Sequence, residues 1–194
     1  DHGSYPFTTS SNVVAGQVEV GAGICLNRKK SIGGIAKAYL TYVGRGPLPT
    51  EITHPLEDQI REIGQEYGTT TGRARRIGWI DLVQLKYANQ LNGFTELILT
   101  KVDVLTGLPE IKLCIGYEIN GQKVSCVPAD LGSFAQIKPI YETLPGWKSL
   151  PDHIKNIDEC PLELKSFIKK IEDFTGNTIS LISYGPDRNQ TFAL

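Results

Sequence analysis

The chain has 194 residues, 40% of them apolar and 21% charged, the balance of an ordinary globular protein with enough length for a sizeable core. Twenty basic side chains against 21 acidic ones leave a net charge of -1, so there is no global field to draw in nucleic acid or an anionic membrane, and charge-driven recognition must be local. No apolar run approaches the roughly 20 residues needed to cross a bilayer, and the first residues lack the order of a leader, so the expectation is a cytoplasmic protein with no membrane partner.

In chain order, "SSNVVAGQVEV" sets hydroxyls and Asn12 where a helix N-cap is wanted, and a short helix or turn is expected from about Val13, with Gly16 weakening it. "GIAKAYLTYVG" is rich in β-branched and aromatic residues and predicts one strand, Ile35 to Val43. After the loop "GRGPLPT", apolar residues at Leu56, Ile60, Ile63 and Tyr67 predict an amphipathic helix stopped by Gly68. "WIDLVQLKYANQLNG" predicts a second helix, closed by Asn92 and Gly93.

"FTELILTKVDVL" predicts a buried parallel strand whose carboxyl end carries Lys101 and Asp103, the end at which open α/β sheets bind ligands. "EIKLCIGYEINGQKVSCV" predicts a hairpin turning at Asn120-Gly121. "KPIYETLPGW" predicts another strand. "PLELKSFIKKIEDFTG" is a helix punctuated by its proline and Gly176, followed by the buried strand "TISLISYG". The class is therefore α/β, a mostly parallel sheet with flanking helices and an antiparallel hairpin excursion.

Two constellations carry chemistry. In "LTKVD", one ionised carboxylate at Asp103 can accept both N1-H and the exocyclic amine of guanine while rejecting adenine, and Lys101 can lay its stem along a base. Two charges capping a surface strand would look the same. In "GTTTGRARRIGWID", Thr69, Thr70, Thr71 and Gly72 offer N-H groups and hydroxyls beside the planar forks of Arg73 and Arg75. In an extended segment these two arginines share a side and Arg76 points away. A closing loop for a small anion is one meaning, and a solvated basic turn is the other. "SYGPDR", from Ser183, is a strand-end turn able to line a base, and "YPFTTSSN" is either a helix entry or a phosphate cradle.

Cys25, Cys114, Cys126 and Cys160 have no C-x-x-C spacing, and His2, His54 and His153 are scattered, so no structural zinc is expected. Cys114 and Cys126 flank the hairpin, and reduced buried thiols are the expectation. The chain contains no methionine, and it is expected to be part of a longer protein.

"DHGSYPFTTSSN", "VGRGPLPTE", "TTGRARRIGWIDL", "LTKVDVLTGL", "IYETLPGW" and "SYGPDR" together resemble the carboxyl-terminal part of the adenylosuccinate synthetase family, with Thr8 and Ala74 as local variants. The resemblance covers essentially the whole chain. It implies the C-terminal portion of a larger P-loop-like, GTP-dependent ligase fold, with residues 1–194 as a single lobe. It also implies GTP-driven joining of inosine monophosphate (IMP) to L-aspartate, by phosphorylation of the purine 6-oxygen and displacement of phosphate by the aspartate amine. GTP is then a co-substrate, Mg2+ the metal and a homodimer the assembly. Carried over by residue, Thr9 and Arg73 would bind IMP, while Thr69, Thr70, Thr71, Gly72, Arg73, Ala74 and Arg75 would bind aspartate. Arg75, Lys101, Val102, Asp103, Ser183, Tyr184 and Gly185 would bind GTP.

The same resemblance implies that the phosphate loop, the catalytic aspartate and histidine and the magnesium ligands precede Asp1. The isolated chain is then expected to be inactive, with no catalytic or metal-binding residue of its own. A stand-alone guanine-nucleotide binding module and a non-catalytic assembly fragment remain as alternatives.

Overall fold

The computed structural model describes residues 32–128 and 131–194, with Leu131 described only as part of its helix. The helix expected from about Val13, together with Thr9, Cys25 and His2, lies outside the described residues. In chain order the elements are β1 (Gly33–Lys37), β2 (Tyr39–Tyr42), α1 (Leu56–Gly64), β3 (Arg76–Asp81), α2 (Leu82–Asn92), β4 (Glu96–Thr100), β5 (Glu110–Ile119), β6 (Gln122–Val124), α3 (Leu131–Ala135), β7 (Lys138–Pro145), α4 (Leu162–Thr175), β8 (Thr178–Ser183) and β9 (Thr191–Ala193). Single 3-10 turns occur at Asp103–Leu105 and Ile157–Glu159.

One sheet runs β1-β4-β8-β9, with β1, β4 and β8 parallel and β9 antiparallel to β8. The other runs β2-β3-β5-β6 with β7 also on β5, and only its β3–β5 pair is parallel. The α/β class holds, and the expected hairpin belongs to a second, mainly antiparallel sheet rather than to the parallel one. Asn120 and Gly121 have φ of 52° and 79°, the left-handed pair that a two-residue hairpin turn demands.

Three expectations are corrected. The strand expected over 35–43 is two strands in two sheets: the Ala38 N-H still bonds Thr100 O at 2.9 Å, and Tyr39 then pairs with Trp79. Ala38 is fully buried, small enough for the chain to cross between sheets there. Residues 79–81 are strand rather than helix, because β3 is held between β2 and β5. Asp81 then caps α2, accepting from the Val83 and Gln84 N-H groups at 3.0 Å each.

The third correction concerns the end of α1. It stops at Gly64, four residues before Gly68, because Gln65 turns left-handed at φ 52°, ψ 44°. Gln65 N-H reaches Glu62 O at 3.3 Å and Glu66 N-H reaches Arg61 O at 2.9 Å, the paired bonds of a Schellman closure. Ile60 is buried as the periodicity requires, whereas Ile63 is half exposed.

The main apolar cluster joins both sheets through Tyr39, Trp79, Leu97, Leu105, Trp147 and Phe167. Trp147 is fully buried, edge-on to Phe167 at 5.6 Å, and its indole N-H donates to Thr106 Oγ1 at 3.1 Å. Each fully buried Leu or Ile contributes about 1.5–3 kcal/mol of transfer free energy, which fixes the strand framework from which the loops project. Cys114 and Cys160 are buried free thiols, but Cys126 is exposed and does not pair with Cys114. Among the described residues no helix is long and apolar enough to cross a membrane.

Candidate functional site

Parallel pairing brings three strand ends to one edge. Lys37 lies opposite Thr100, and Leu99 lies opposite Ile182, so Lys37, the segment Lys101–Asp103 and the turn from Ser183 leave the sheet together. The carboxyl ends of parallel strands form the ligand edge of such sheets. Lys101 takes a left-handed φ of 64°, which swings its ammonium onto the Gly64 carbonyl at 2.9 Å, at the end of α1. Val102, between Lys101 and Asp103, is fully buried.

Asp103 opens the 3-10 turn. Burial pushes its carboxyl above the ordinary range, against the opposing pull of its own and Val104's N-H groups and the charge of Lys101. Its Oδ1 is buried with no hydrogen-bond partner among the described residues. A buried acceptor left open in this way fits a ligand that presents N-H donors.

The Schellman closure of α1 turns Glu66 inward, where it is only 2% exposed. One oxygen accepts from the Tyr39 hydroxyl at 2.7 Å, and the other accepts from Arg75 Nη1 at 2.8 Å. Lys37 Nζ stands 3.5 Å from the first oxygen. Burial alone would raise the Glu66 pKa; the Tyr39 hydrogen bond, the charges of Lys37 and Lys101 and the Arg75 hydrogen bond outweigh it, and the carboxyl is held below its usual range. The Tyr39 phenol is pushed up by burial, then by Glu66 and by Asp103, so it remains a donor.

Arg75 is fixed along its main chain as well. Its N-H donates to Glu66 O at 3.0 Å, and its carbonyl accepts from Arg61 Nε at 2.8 Å. Arg75 is thereby tied to the segment Gly64–Glu66, whose Gly64 carbonyl accepts, at 2.9 Å, the ammonium of Lys101, two residues before Asp103.

The rest of the expected aspartate-binding loop stands away from this anchor. Thr69, Thr70, Thr71, Gly72, Arg73 and Ala74 are all exposed, in a turn closed by Gly72 N-H to Gly68 O and Gly68 N-H to Arg73 O, both 2.8 Å. The Arg73 guanidinium has no hydrogen-bond partner among the described residues. Arg76 faces elsewhere, forked onto Glu51 at 2.5 and 2.6 Å and resting over the Tyr42 ring at 5.3 Å.

At the third strand end, Ser183 Oγ donates to Gly185 O at 3.2 Å. Tyr184 turns into the core, where its hydroxyl accepts from Ile154 N-H at 2.9 Å and its ring meets Phe192. Only its main chain remains near the edge. A separate cleft of about 710 Å³, lined by His54, Leu56, Trp79, Leu108 and Tyr141 among others, touches none of Lys37, Glu66, Arg75, Lys101 and Asp103.

Sequence reasoning missed Glu66, Tyr39 and Lys37. The available signal was an acid seven residues before Arg73, in "EYGTTTGRAR". Among the described residues no three His, Cys, Asp or Glu side chains converge to hold a metal ion, so the magnesium implied by resemblance finds no ligand set there.

The family model for adenylosuccinate synthetase matches residues 1–192. The adenylosuccinate synthetase of Bacillus cereus is 47% identical over 191 residues, 98% of this chain and 44% of that protein. That of Geobacillus kaustophilus is 48% identical over 98% of this chain and 45% of its own length. A solved structure of fully ligated adenylosuccinate synthetase from Plasmodium falciparum superposes with a TM-score of 0.81 at 36% identity, covering 87% of this chain and 41% of the other. The chain thus spans less than half the length of these relatives. It belongs to the adenylosuccinate synthetase family.

Proposed function

We propose that this chain forms the carboxyl-terminal lobe of an enzyme that joins IMP to L-aspartate at the expense of GTP, yielding adenylosuccinate, GDP and phosphate. Its own part is recognition. Asp103 accepts the paired donors of guanine, Lys101 flanks the base, and Val102 and the Ser183–Gly185 turn complete that pocket. Arg75 meets the aspartate carboxylates and the GTP phosphates, and the loop Thr69–Ala74 closes over aspartate. Arg73 reaches both aspartate and IMP, with Thr9 on the IMP side. The observation that carries the proposal is the open, buried Oδ1 of Asp103 at the edge where three parallel strands end.

GTP as co-substrate, a homodimer and a cytoplasmic setting belong to the same proposal. Among the described residues no three His, Cys, Asp or Glu side chains converge, and no step assigned to this chain uses magnesium.

The test is adenylosuccinate formation by the full-length protein given GTP, IMP and aspartate, with ATP failing to replace GTP. The isolated 194-residue chain is expected to form no product. A full-length protein that prefers GDP to ADP yet makes no adenylosuccinate would overturn the enzyme reading in favour of a guanine-nucleotide binding module.

A further inference from the structure

We propose that Glu66 is a positioning residue, whose buried carboxylate fixes the Arg75 guanidinium and ties the anion-binding loop to the strand end that carries Lys101 and Asp103. The inference rests on the functional reading above but names a residue outside the ligand contacts expected from the motifs.

A carboxylate that is 2% exposed must find compensating partners or become neutral. Glu66 finds them: the Tyr39 hydroxyl and Arg75 Nη1 each donate to one oxygen, and Lys37 lies 3.5 Å away. With Nη1 committed, Arg75 still has Nε, which is buried and lacks a partner among the described residues. Its fork is held by one edge, with donors left over.

The anchor is also connected along the chain. Gly64, two residues before Glu66, accepts the Lys101 ammonium at 2.9 Å. The segment Gly64–Glu66 therefore touches the guanine-reading pair at one end and Arg75 at the other. A long cationic side chain in water samples many rotamers, and a fork already aimed loses less entropy when it binds an anion.

Because Glu66 acts through Arg75, its loss should resemble a partial loss of Arg75. In the full-length protein, Glu66→Gln is expected to raise KM for aspartate and for GTP together, by about tenfold, while KM for IMP stays within about twofold. The double variant Glu66→Gln/Arg75→Ala should lie within about twofold of Arg75→Ala alone, since the carboxylate has nothing left to position. A rise in KM for IMP as large as that for aspartate, or a double variant worse by the whole Glu66→Gln factor, overturns the proposal.

Should Glu66→Gln fail to fold, Tyr39→Phe is scored in its place: it removes one hydroxyl from the same carboxylate and should show the same pattern at smaller size. If the unaltered protein makes no adenylosuccinate, the functional reading has failed by itself. The cycle is then read as GDP affinity, and Glu66→Gln must still weaken binding only when Arg75 is present.

Discussion

The Lys101 ammonium lies 2.9 Å from the carbonyl oxygen of Gly64, so the residue that opens the segment after β4 also closes the last turn of α1. A helix ends with carbonyls that lack intrahelical donors and carry partial negative charge, and a cation there satisfies both. The left-handed φ of 64° at Lys101, unfavourable for a residue with a side chain, is what delivers the ammonium.

Lys101→Met keeps the apolar stem and removes the donor. The expected loss is about 1.5–3 kcal/mol, the usual range for a hydrogen bond involving a charged group. Equilibrium urea unfolding would measure it. A Lys101→Met protein as stable as the parent would show that the contact contributes nothing net.

Asp103 should behave in the opposite way. Burial pushes its carboxyl upward and its Oδ1 has no partner among the described residues, so the ionised form costs stability rather than adding to it. Asp103→Asn is therefore expected to leave stability unchanged or slightly improved. It places a donor where guanine needs an acceptor, and the preference for GDP over ADP should fall by about tenfold or more. Titration of both nucleotides into both proteins decides it; an unchanged preference would separate Asp103 from base recognition.

The structural setting of the Lys101–Asp103 and arginine motifs could be read from the sequence because its cues are local. Lys101 and Asp103 follow a largely apolar run, and the arginines sit between glycines and strand residues, so each motif announced its own setting. Glu66 did not. Its burial depends on Gln65 adopting the left-handed turn that glycine usually supplies, and nothing in the residue type signals that. The break at Ala38 was hidden for a related reason. Residues on both sides of it favour strands, and only the competing partners, Thr100 behind it and Trp79 ahead, divide the run between two sheets. The strand character of 79–81 was likewise masked, because apolar residues leading into a helix do not show where the period changes. The acid at 81, read as an N-cap, would have placed that boundary.

Gly146 is required by contact rather than by conformation. A Cβ there would stand 2.0 Å from the Leu108 carbonyl oxygen, and that backbone is tied down by Gly146 N-H to Pro109 O at 3.1 Å and Gly107 N-H to Trp147 O at 2.9 Å. Gly146→Ala should destabilise by about 2–4 kcal/mol through displacement of the Trp147 anchor. Gly121→Ala is the control. It has φ 79° but nothing within 4 Å of the new methyl, so only the conformational penalty of about 1 kcal/mol applies. Thermal midpoints of the two variants test the order, and equal shifts would contradict it.

Asp81 gives a pH dependence whose sign can be worked out. Burial raises its pKa from 3.8 to about 6, even though it accepts hydrogen bonds from Gln84, Tyr117 and Val83. The folded state therefore holds the proton more tightly than the unfolded chain. The stabilising contribution of the protonated acid is fully present below about pH 4 and is lost as pH rises through about 6, a change on the order of 3 kcal/mol. Glu66, with its lowered pKa, acts in the other direction, losing its contribution as pH falls. The measurement must therefore be a difference between proteins. Asp81→Asn keeps an oxygen for the Val83 and Gln84 N-H groups at the start of α2 and cannot ionise. Between pH 4 and pH 6, the stability of the parent relative to Asp81→Asn should decline as pH rises and then level off; a difference that stays flat across this range would mean that Asp81 titrates in the folded protein as it does in the unfolded chain.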